Sequence, residues 1–350
     1  MEQLISILET RRQHDSDGET SFIERFITPL NPTPMLGADG QTIAYVVDVK
    51  RNGVLWSAHV DTMHRDKGTS EGILTQEVWV SDDGTAFVTD KADCLGADDG
   101  AGMWLMFNMI ARGVAGTYIF HRGEEIGCWG SGEMATHHRD WLKGFTHAIA
   151  FDRRGTTSII THQRGERACS DALGNQLADL FGLGYVLDPT GVYTDTAEYM
   201  DIIPECVNIS IGYDSEHSHF ESLDTNHCLA LRDAICALDW DSITLVAERD
   251  PTKREYRTYP NYPSYGGFNS WQTARGTTPS ALDAYEIPSA ERLLSVSTRS
   301  IAEWVSKADP EDVAMLLQDL ADQLEEANYA LSDAYADYDY GNENLKVGMM

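Results

Sequence analysis

The chain has 350 residues, 42% of them hydrophobic, and sets 56 acidic against 26 basic residues for a formal charge of -30. That is enough apolar material for one large core with an extension, or for two domains. So acidic a balance argues against binding a phosphate backbone or an anionic lipid surface, and favours a soluble protein. The start, MEQLISILETRRQHDSDGE, has no basic region followed by an apolar run and reads as an amphipathic helix. No stretch approaches the roughly 18 consecutive apolar residues of a membrane span. The six cysteines (Cys94, Cys128, Cys169, Cys206, Cys228 and Cys236) are scattered without a C-x-x-C pair, and read as reduced thiols. Together these features predict a cytoplasmic protein.

Short apolar runs alternate with helical stretches up to about residue 245. Val54–Ala58 in GVLWSAHVD reads as a buried strand, and ILTQEVWVSDDGTAFVTD as a hairpin turning at Asp83–Gly84. AGMWLMFNMIARG is apolar nearly all round, which predicts a buried helix stopping at Gly113. Strands are predicted at GTYIF (116–120), THAIAFD (146–152) and VNISIGY (207–213). This alternation predicts an α/β fold, a mixed and mostly parallel sheet with helices on both faces.

The composition changes near residue 250. YRTYPNYPSYGGFNSW is rich in Tyr, Pro and Gly, and residues 246–280 read as a linker. Residues 281–350 read as an acidic helical C-terminal extension. Within it Asp309 is a predicted N-cap, Pro310 the first helical residue, and Val313, Leu316, Leu317, Leu320, Leu324 and Leu331 one apolar stripe. That stripe either packs on its own domain or serves self-association or a protein partner.

Acidic residues and histidines follow the predicted strands. His59 and Asp61 follow the first, Glu124 and Glu125 follow GTYIF, Asp152 closes THAIAFD, and His217 with Glu221 follows NISIGY. GADDGAG, with Asp98 and Asp99, precedes the buried helix. Ligands of open α/β sheets collect beyond the carboxyl ends of the strands, so these residues converge on one crevice. Each motif alone is weak: His-x-Asp is common, a Glu pair is usually solvated, and Asp-Gly runs are usually turns. Together they crowd up to six carboxylates, whose mutual repulsion is several kcal/mol each at an effective dielectric of about 20. Such a cluster needs cations or must largely protonate. Imidazoles and carboxylates without a thiolate suit two divalent metals, zinc first, with cobalt and manganese as alternatives.

The order H-x-D, G-A-D-D, E-E, D, H-S-x-x-E resembles the co-catalytic two-zinc exopeptidases, a superfamily of leucyl aminopeptidases, tripeptidases, carboxypeptidases and acylases. The likeness covers about residues 1–245, and VWVSDDGTAFVTDKADCLGADDGAG looks like the tripeptidase branch. It implies a phosphorylase/hydrolase-like zinc peptidase core over 1–245. It also implies that His59, Asp98, Glu125, Asp152 and His217 are metal ligands, with Asp98 bridging and the Asp98–Asp99 peptide cis. Asp61 would orient the His59 imidazole with its carboxylate from behind, without touching the metal, and Glu124 would be the general base acting on a water that bridges the metals. His217 is preferred over His219 because Glu221 lies four residues on. His121 is read as a non-ligand, and His64, His137, His138 and His227 as surface. Only 64 residues separate Asp152 from His217, too few for the inserted dimerisation domain of many tripeptidase-like members. Motif spelling and domain layout therefore point to different branches. Thr194 and Asp195 resemble a loop at the pocket rim and are candidate substrate contacts. Arg153 and Arg154 either grip a substrate carboxylate or offset the acidic cluster.

The expected activity is metal-dependent hydrolysis of peptide bonds, with an exopeptidase on short peptides preferred. N-acyl amino acid hydrolysis is the alternative within the enzyme class. A catalytically inactive metal-binding interaction module is the alternative outside it.

Overall fold

The computed structural model describes residues 1–64, 75–88 and 94–256. The predicted helical extension, most of the linker and the proposed partner surface lie outside them. In chain order the strands are β1 (Thr33–Leu36), β2 (Thr42–Val49), β3 (Val54–His59), β4 (Val78–Val80), β5 (Thr85–Val88), β6 (Gly116–His121), β7 (His147–Arg153), β8 (Ser158–Ile160), β9 (His162–Gln163), β10 (Glu166–Arg167), β11 (Val186–Asp188), β12 (Glu205–Ser210), β13 (Tyr213–Asp214) and β14 (Ser222–Asp224). The α-helices are α1 (Glu2–Leu8), α2 (Asp17–Phe22), α3 (Ala97–Ala111), α4 (Trp129–His137), α5 (Arg139–Leu142), α6 (Asp171–Phe181) and α7 (Thr225–Ala237).

Eight strands form the main sheet in the order β1-β2-β6-β3-β7-β12-β8-β11. Its centre, β6-β3-β7-β12, is parallel, while β1 and β2 run antiparallel at one edge. At the other, β8 opposes β12 and runs parallel to β11. The expected mixed, mostly parallel α/β sheet is what the chain forms. β3 and β6 are buried along their whole length, which is why they read as mostly apolar runs rather than as an apolar–polar alternation. The two faces still separate: Val54, Trp56 and Ala58 enter one cluster with α1, α3, α6 and α7, and Leu55 enters the other with α4 and α5. Helices thus cover both faces.

β13, β14, β5 and β4 form a separate small antiparallel sheet, whose β13–β14 connection carries residues 215–221. The predicted hairpin at Asp83–Gly84 is β4–β5 of this sheet.

Three local expectations change. The N-terminal helix stops at Leu8, because Arg12 turns inward instead of following the helix. Its buried guanidinium donates to the carbonyls of Val60 (2.7 Å) and Gly96 (2.8 Å), tying the start of the chain to two site loops. VNISIGY is split between β12 and β13, with Gly212 at φ 113° in between. His64 is fully buried rather than at the surface, its Nδ1 2.6 Å from Thr62 Oγ1. The six cysteines are unbridged. Among the described residues no helix is long and apolar enough to cross a membrane.

Candidate metal centre

The carboxyl ends of the parallel strands deliver the side chains. His59 is the last residue of β3, Asp152 lies near the end of β7, and Glu124 and Glu125 follow the end of β6. Asp98 opens α3, and His217 sits in the β13–β14 connection at φ 62°. The Asp98–Asp99 peptide is cis.

Asp98 occupies the middle. Its Oδ1 lies 3.0 Å from His59 Nε2 and its Oδ2 3.2 Å from His217 Nε2. His59 Nε2 is also 3.6 Å from Asp152 Oδ1, and His217 Nε2 is 3.0 Å from Glu125 Oε2. Two pairs result, His59 with Asp152 and His217 with Glu125, and Asp98 turns one oxygen to each imidazole. His219, in contrast, packs against Phe220 with the two rings tilted by 39°.

The electrostatics leave this cluster unbalanced. Burial, with Asp152, Asp195 and Asp98 nearby, pushes Glu124 up to about 9 despite His59. Burial and the Asp98 charge push Glu125 to about 7 and Asp152 to about 6. Asp98 moves the other way: burial raises it, but hydrogen bonds with His217 and His59 outweigh that and hold it below the ordinary carboxylate range. His217 is raised to about 11 by its bonds to Asp98 and Glu125. Imidazolium protons therefore stand where a cation is wanted. The donor set fits divalent metal ions. Asp98, Glu125 and His217 offer ligand atoms within 4.8 Å of one another, as do His59, Asp99 and Asp152, and His59, Glu124 and Glu125. Glu125 Oε1 is buried without a hydrogen-bond partner. Imidazole nitrogen and carboxylate oxygen are ligands of zinc and its neighbours.

A second group of carboxylates holds backbone instead. Asp61 was expected to orient His59 through its side chain. The Nδ1 of His59 instead meets the main-chain carbonyl of Asp61 at 3.0 Å, with the carboxylate 4.0 Å away. The Asp61 carboxylate accepts the N–H groups of Gly123, Glu124 and Glu125 (2.8, 3.2 and 3.2 Å), and so fixes the turn bearing the glutamate pair. Asp99 accepts from the N–H of His59 at 3.3 Å and of Gly102 at 3.1 Å. Glu221 accepts from the N–H of Leu95, Gly96, Ala97 and Asp98. These bonds tie the turns to buried carboxyl groups; burial still raises Asp61, Asp99 and Glu221 above the ordinary carboxylate range, Glu221 to about 7, with Asp152 adding to the rise at Asp99 and Asp98 at Glu221.

The glycines of GADDGAG have defined work. Gly96 takes φ 73°, where an added Cβ would also press on His64, Thr62 and Arg12. At Gly102 an added Cβ would lie 2.2 Å from Asp99 Oδ1 and 2.6 Å from the Phe151 carbonyl.

The candidate substrate contacts separate into two pairs. Thr194 is buried and donates to Asp152 Oδ2 at 2.7 Å, and Asp195 is buried with Oδ2 3.2 Å from His121 Nδ1. Both are buried, and neither lines the adjoining cavity. Arg153 and Arg154 do line the adjoining cavity of about 330 Å³, with Gln163, Tyr193, Tyr213 and Glu216. Arg153 Nε and Glu216 Oε2 are buried there without hydrogen-bond partners. His121 is buried beside Tyr199, its Nε2 2.6 Å from the hydroxyl.

Sequence reasoning missed Tyr213, whose hydroxyl donates to Asp152 Oδ1 at 3.1 Å, and the inward-turned Arg12. Tyr213 had a signal, ending a predicted strand four residues before His217. Arg12 had none, since it sits in a pattern that reads as helix.

No protein-family model matches the sequence, and a search of curated proteins finds no match. Solved structures match by fold. Aminopeptidase PepT from Bacillus cereus aligns with 67% of this chain and 96% of its own, at TM-score 0.53 and 12% identity. A tripeptidase from Staphylococcus aureus covers 67% and 95%, at TM-score 0.53 and 11% identity. The TET1 peptidase of Pyrococcus horikoshii, which can assemble into a tetrahedron or a large octahedral shell, covers 67% and 98%, at TM-score 0.50 and 16% identity. At these identities the likeness establishes the fold: the chain has the α/β fold of these peptidases, in line with the resemblance its motifs carry.

Proposed function

We propose that the chain is a metal-dependent peptidase that hydrolyses amide bonds of short peptides, acting as an exopeptidase. The observation that carries this reading is Asp98, whose two carboxylate oxygens face two different imidazoles, His59 at 3.0 Å and His217 at 3.2 Å. In this reading His59, Asp152 and Asp98 hold one divalent ion, and His217, Glu125 and Asp98 hold the other, with zinc first and cobalt or manganese as alternatives. When bound, such ions polarise the amide carbonyl, acidify water and offset the negative charge that otherwise raises Glu124.

The residues of the chain do the rest. Glu124 takes a proton from the attacking water and returns it to the leaving amine. The three N–H bonds to Asp61 hold Glu124 in place for both transfers. Thr194 and Tyr213 fix the two oxygens of Asp152. Arg153 lines the cleft and suits a substrate with a free carboxylate near the scissile bond, although its Nη2 already meets Thr190 Oγ1 at 3.3 Å and Asp188 Oδ2 at 3.8 Å. N-acyl amino acids meet that requirement too and are the second reading.

The test is full-length protein stripped with chelator, reloaded with zinc, cobalt or manganese, and offered di- and tripeptides alongside N-acetyl amino acids. Release of amino acids from peptides in the loaded protein alone is the expected result. Cleavage of N-acetyl substrates alone selects the second reading. Two ions bound per chain with no amide cleaved leaves a metal-binding interaction module in its place.

A further inference from the structure

Glu221 lies in the same loop as His217, yet its side chain leaves that loop altogether. It is 1% exposed. Its Oε2 accepts from Leu95 N–H at 2.8 Å and Gly96 N–H at 3.0 Å, and its Oε1 from Ala97 N–H at 2.7 Å and Asp98 N–H at 3.0 Å. One carboxylate thus spans four successive peptide groups, the last belonging to Asp98 itself. Asp98 has φ -80° and ψ 108°, outside helical values, although it stands in the first turn of α3. Gly100 N–H reaches the Gly96 carbonyl at 3.2 Å, but the first N–H groups of a helix have no partner within it and must bond elsewhere. Glu221 accepts them. From Asp98 the same turn faces His217 through Oδ2 and His59 through Oδ1.

We propose that Glu221 is a positioning residue for the two-ion centre, fixing the Leu95–Asp98 backbone so that Asp98 presents one oxygen to each half-site. This rests on the two-ion reading above. Because Asp98 is shared, freeing its turn weakens both half-sites together. Because Glu221 and His217 share the β13–β14 connection, the loop supplying one ligand also aims the bridging one.

A reference for a purely structural role exists at the other end of the sheet. Glu205 opens β12, is fully buried, and accepts the N–H groups of Ser170, Glu248 and Arg249 at 2.7, 2.8 and 3.0 Å. It clamps backbone as Glu221 does, with no ligand on the turns it holds.

The experiment uses full-length chelator-stripped protein, with cobalt(II) absorption and calorimetric zinc titration as readouts and thermal melting of the metal-free protein as control. Glu221→Gln keeps the size but replaces one acceptor oxygen by a donor. The expected result is two ions bound by the parent, with affinity at both half-sites weakened roughly 10- to 100-fold in Glu221→Gln, the range for residues that orient ligands. Glu221→Asp, which keeps the carboxylate, recovers part of that loss, and Glu205→Gln lowers the melting temperature without changing either affinity. Parent-like affinities in a Glu221→Gln protein that melts as low as Glu205→Gln overturn the proposal and leave Glu221 a fold residue. Loss confined to one half-site overturns it too, since the shared Asp98 would not be the route. Should Glu221→Gln not fold, Glu221→Asp decides by the same two affinities: both weakened supports the proposal, both unchanged overturns it. A parent that binds no ions ends the two-ion reading itself, and this proposal with it.

Discussion

Buried carboxylates occur at both ends of the parallel strands, and they are treated differently. At the amino ends, Glu205 is saturated by three backbone N–H groups, and the guanidinium of nearby Arg249 is used up on the carbonyls of Arg167, Met200, Ile203 and Pro204. At the carboxyl ends, Asp98, Glu124, Glu125 and Asp152 crowd two imidazoles, and Glu125 keeps a buried oxygen with no partner. A buried charge is tolerated when fully hydrogen-bonded or matched by a cation. The amino end meets the first condition within the chain. The carboxyl end leaves the second to come from outside. Within that end, Asp61 and Glu221 hold backbone as Glu205 does, while Asp99 does so and also lies within 4.8 Å of ligand atoms of His59 and Asp152, so the contrast is between carboxylates that hold backbone and carboxylates that face other side chains.

The strongest way to break this contrast is Asp98→Asn. Both half-sites should lose affinity by more than the roughly 100-fold that removing an orienting partner costs, and peptide hydrolysis should vanish. Metal content by mass spectrometry checks this, and retention of two ions would show that Asp98 does not bridge them. Next comes Glu124→Gln, with kcat down about 10²- to 10⁴-fold and metal content nearly unchanged. Loss of metal in that variant would mean that base and ligand are exchanged.

Asp61→Asn should cost about tenfold in metal affinity, because the turn of Glu124 and Glu125 loses part of its acceptor. Equal affinity by titration would return Asp61 to a role in the fold only. The metal-free melting curve sharpens the comparison through pH. Asp152, Glu125 and Glu124, at about 6, 7 and 9, all lie above their ordinary values. His217, at about 11, does too. The folded state then binds more protons than the unfolded chain, so stability falls as pH rises. Melting temperature should fall from about pH 4, where the carboxyl groups of the unfolded chain titrate, to about pH 9 and beyond as His217 loses its proton, and added zinc should restore most at the upper end. A flat metal-free profile would remove the charge imbalance. The smallest effect is expected for Arg153→Gln, a KM about tenfold higher for peptides with a free carboxyl end and little change in kcat. An unchanged KM would leave Arg153 as a counter-charge.

Much of this was legible before folding. Val54–Ala58, GTYIF and THAIAFD became the central strands because buried parallel strands read as apolar runs. The residues following them gather in one place because parallel strands end at one edge. Legibility failed where local pattern and tertiary demand diverge. The first helix ends early because Arg12 is drawn to carbonyls 48 and 84 residues away. His64 lacks a motif yet is buried. Thr194 and Asp195, expected at the pocket rim, are buried beneath it, bonded to Asp152 and facing His121.

Residue types and spacing alone determined the α/β class, the edge on which the polar residues collect, and the chemistry of a carboxylate–imidazole cluster. Division of labour among the carboxylates was decided only in three dimensions. Asp61, Asp98, Asp99, Glu125 and Glu221 carry the same functional group, and spacing alone does not tell a ligand from a clamp. What separates them is whether their oxygens meet an imidazole or a row of N–H groups. That depends on turns brought together across the fold, as Glu221 is with the four peptide groups ending at Asp98, 123 residues earlier in the chain.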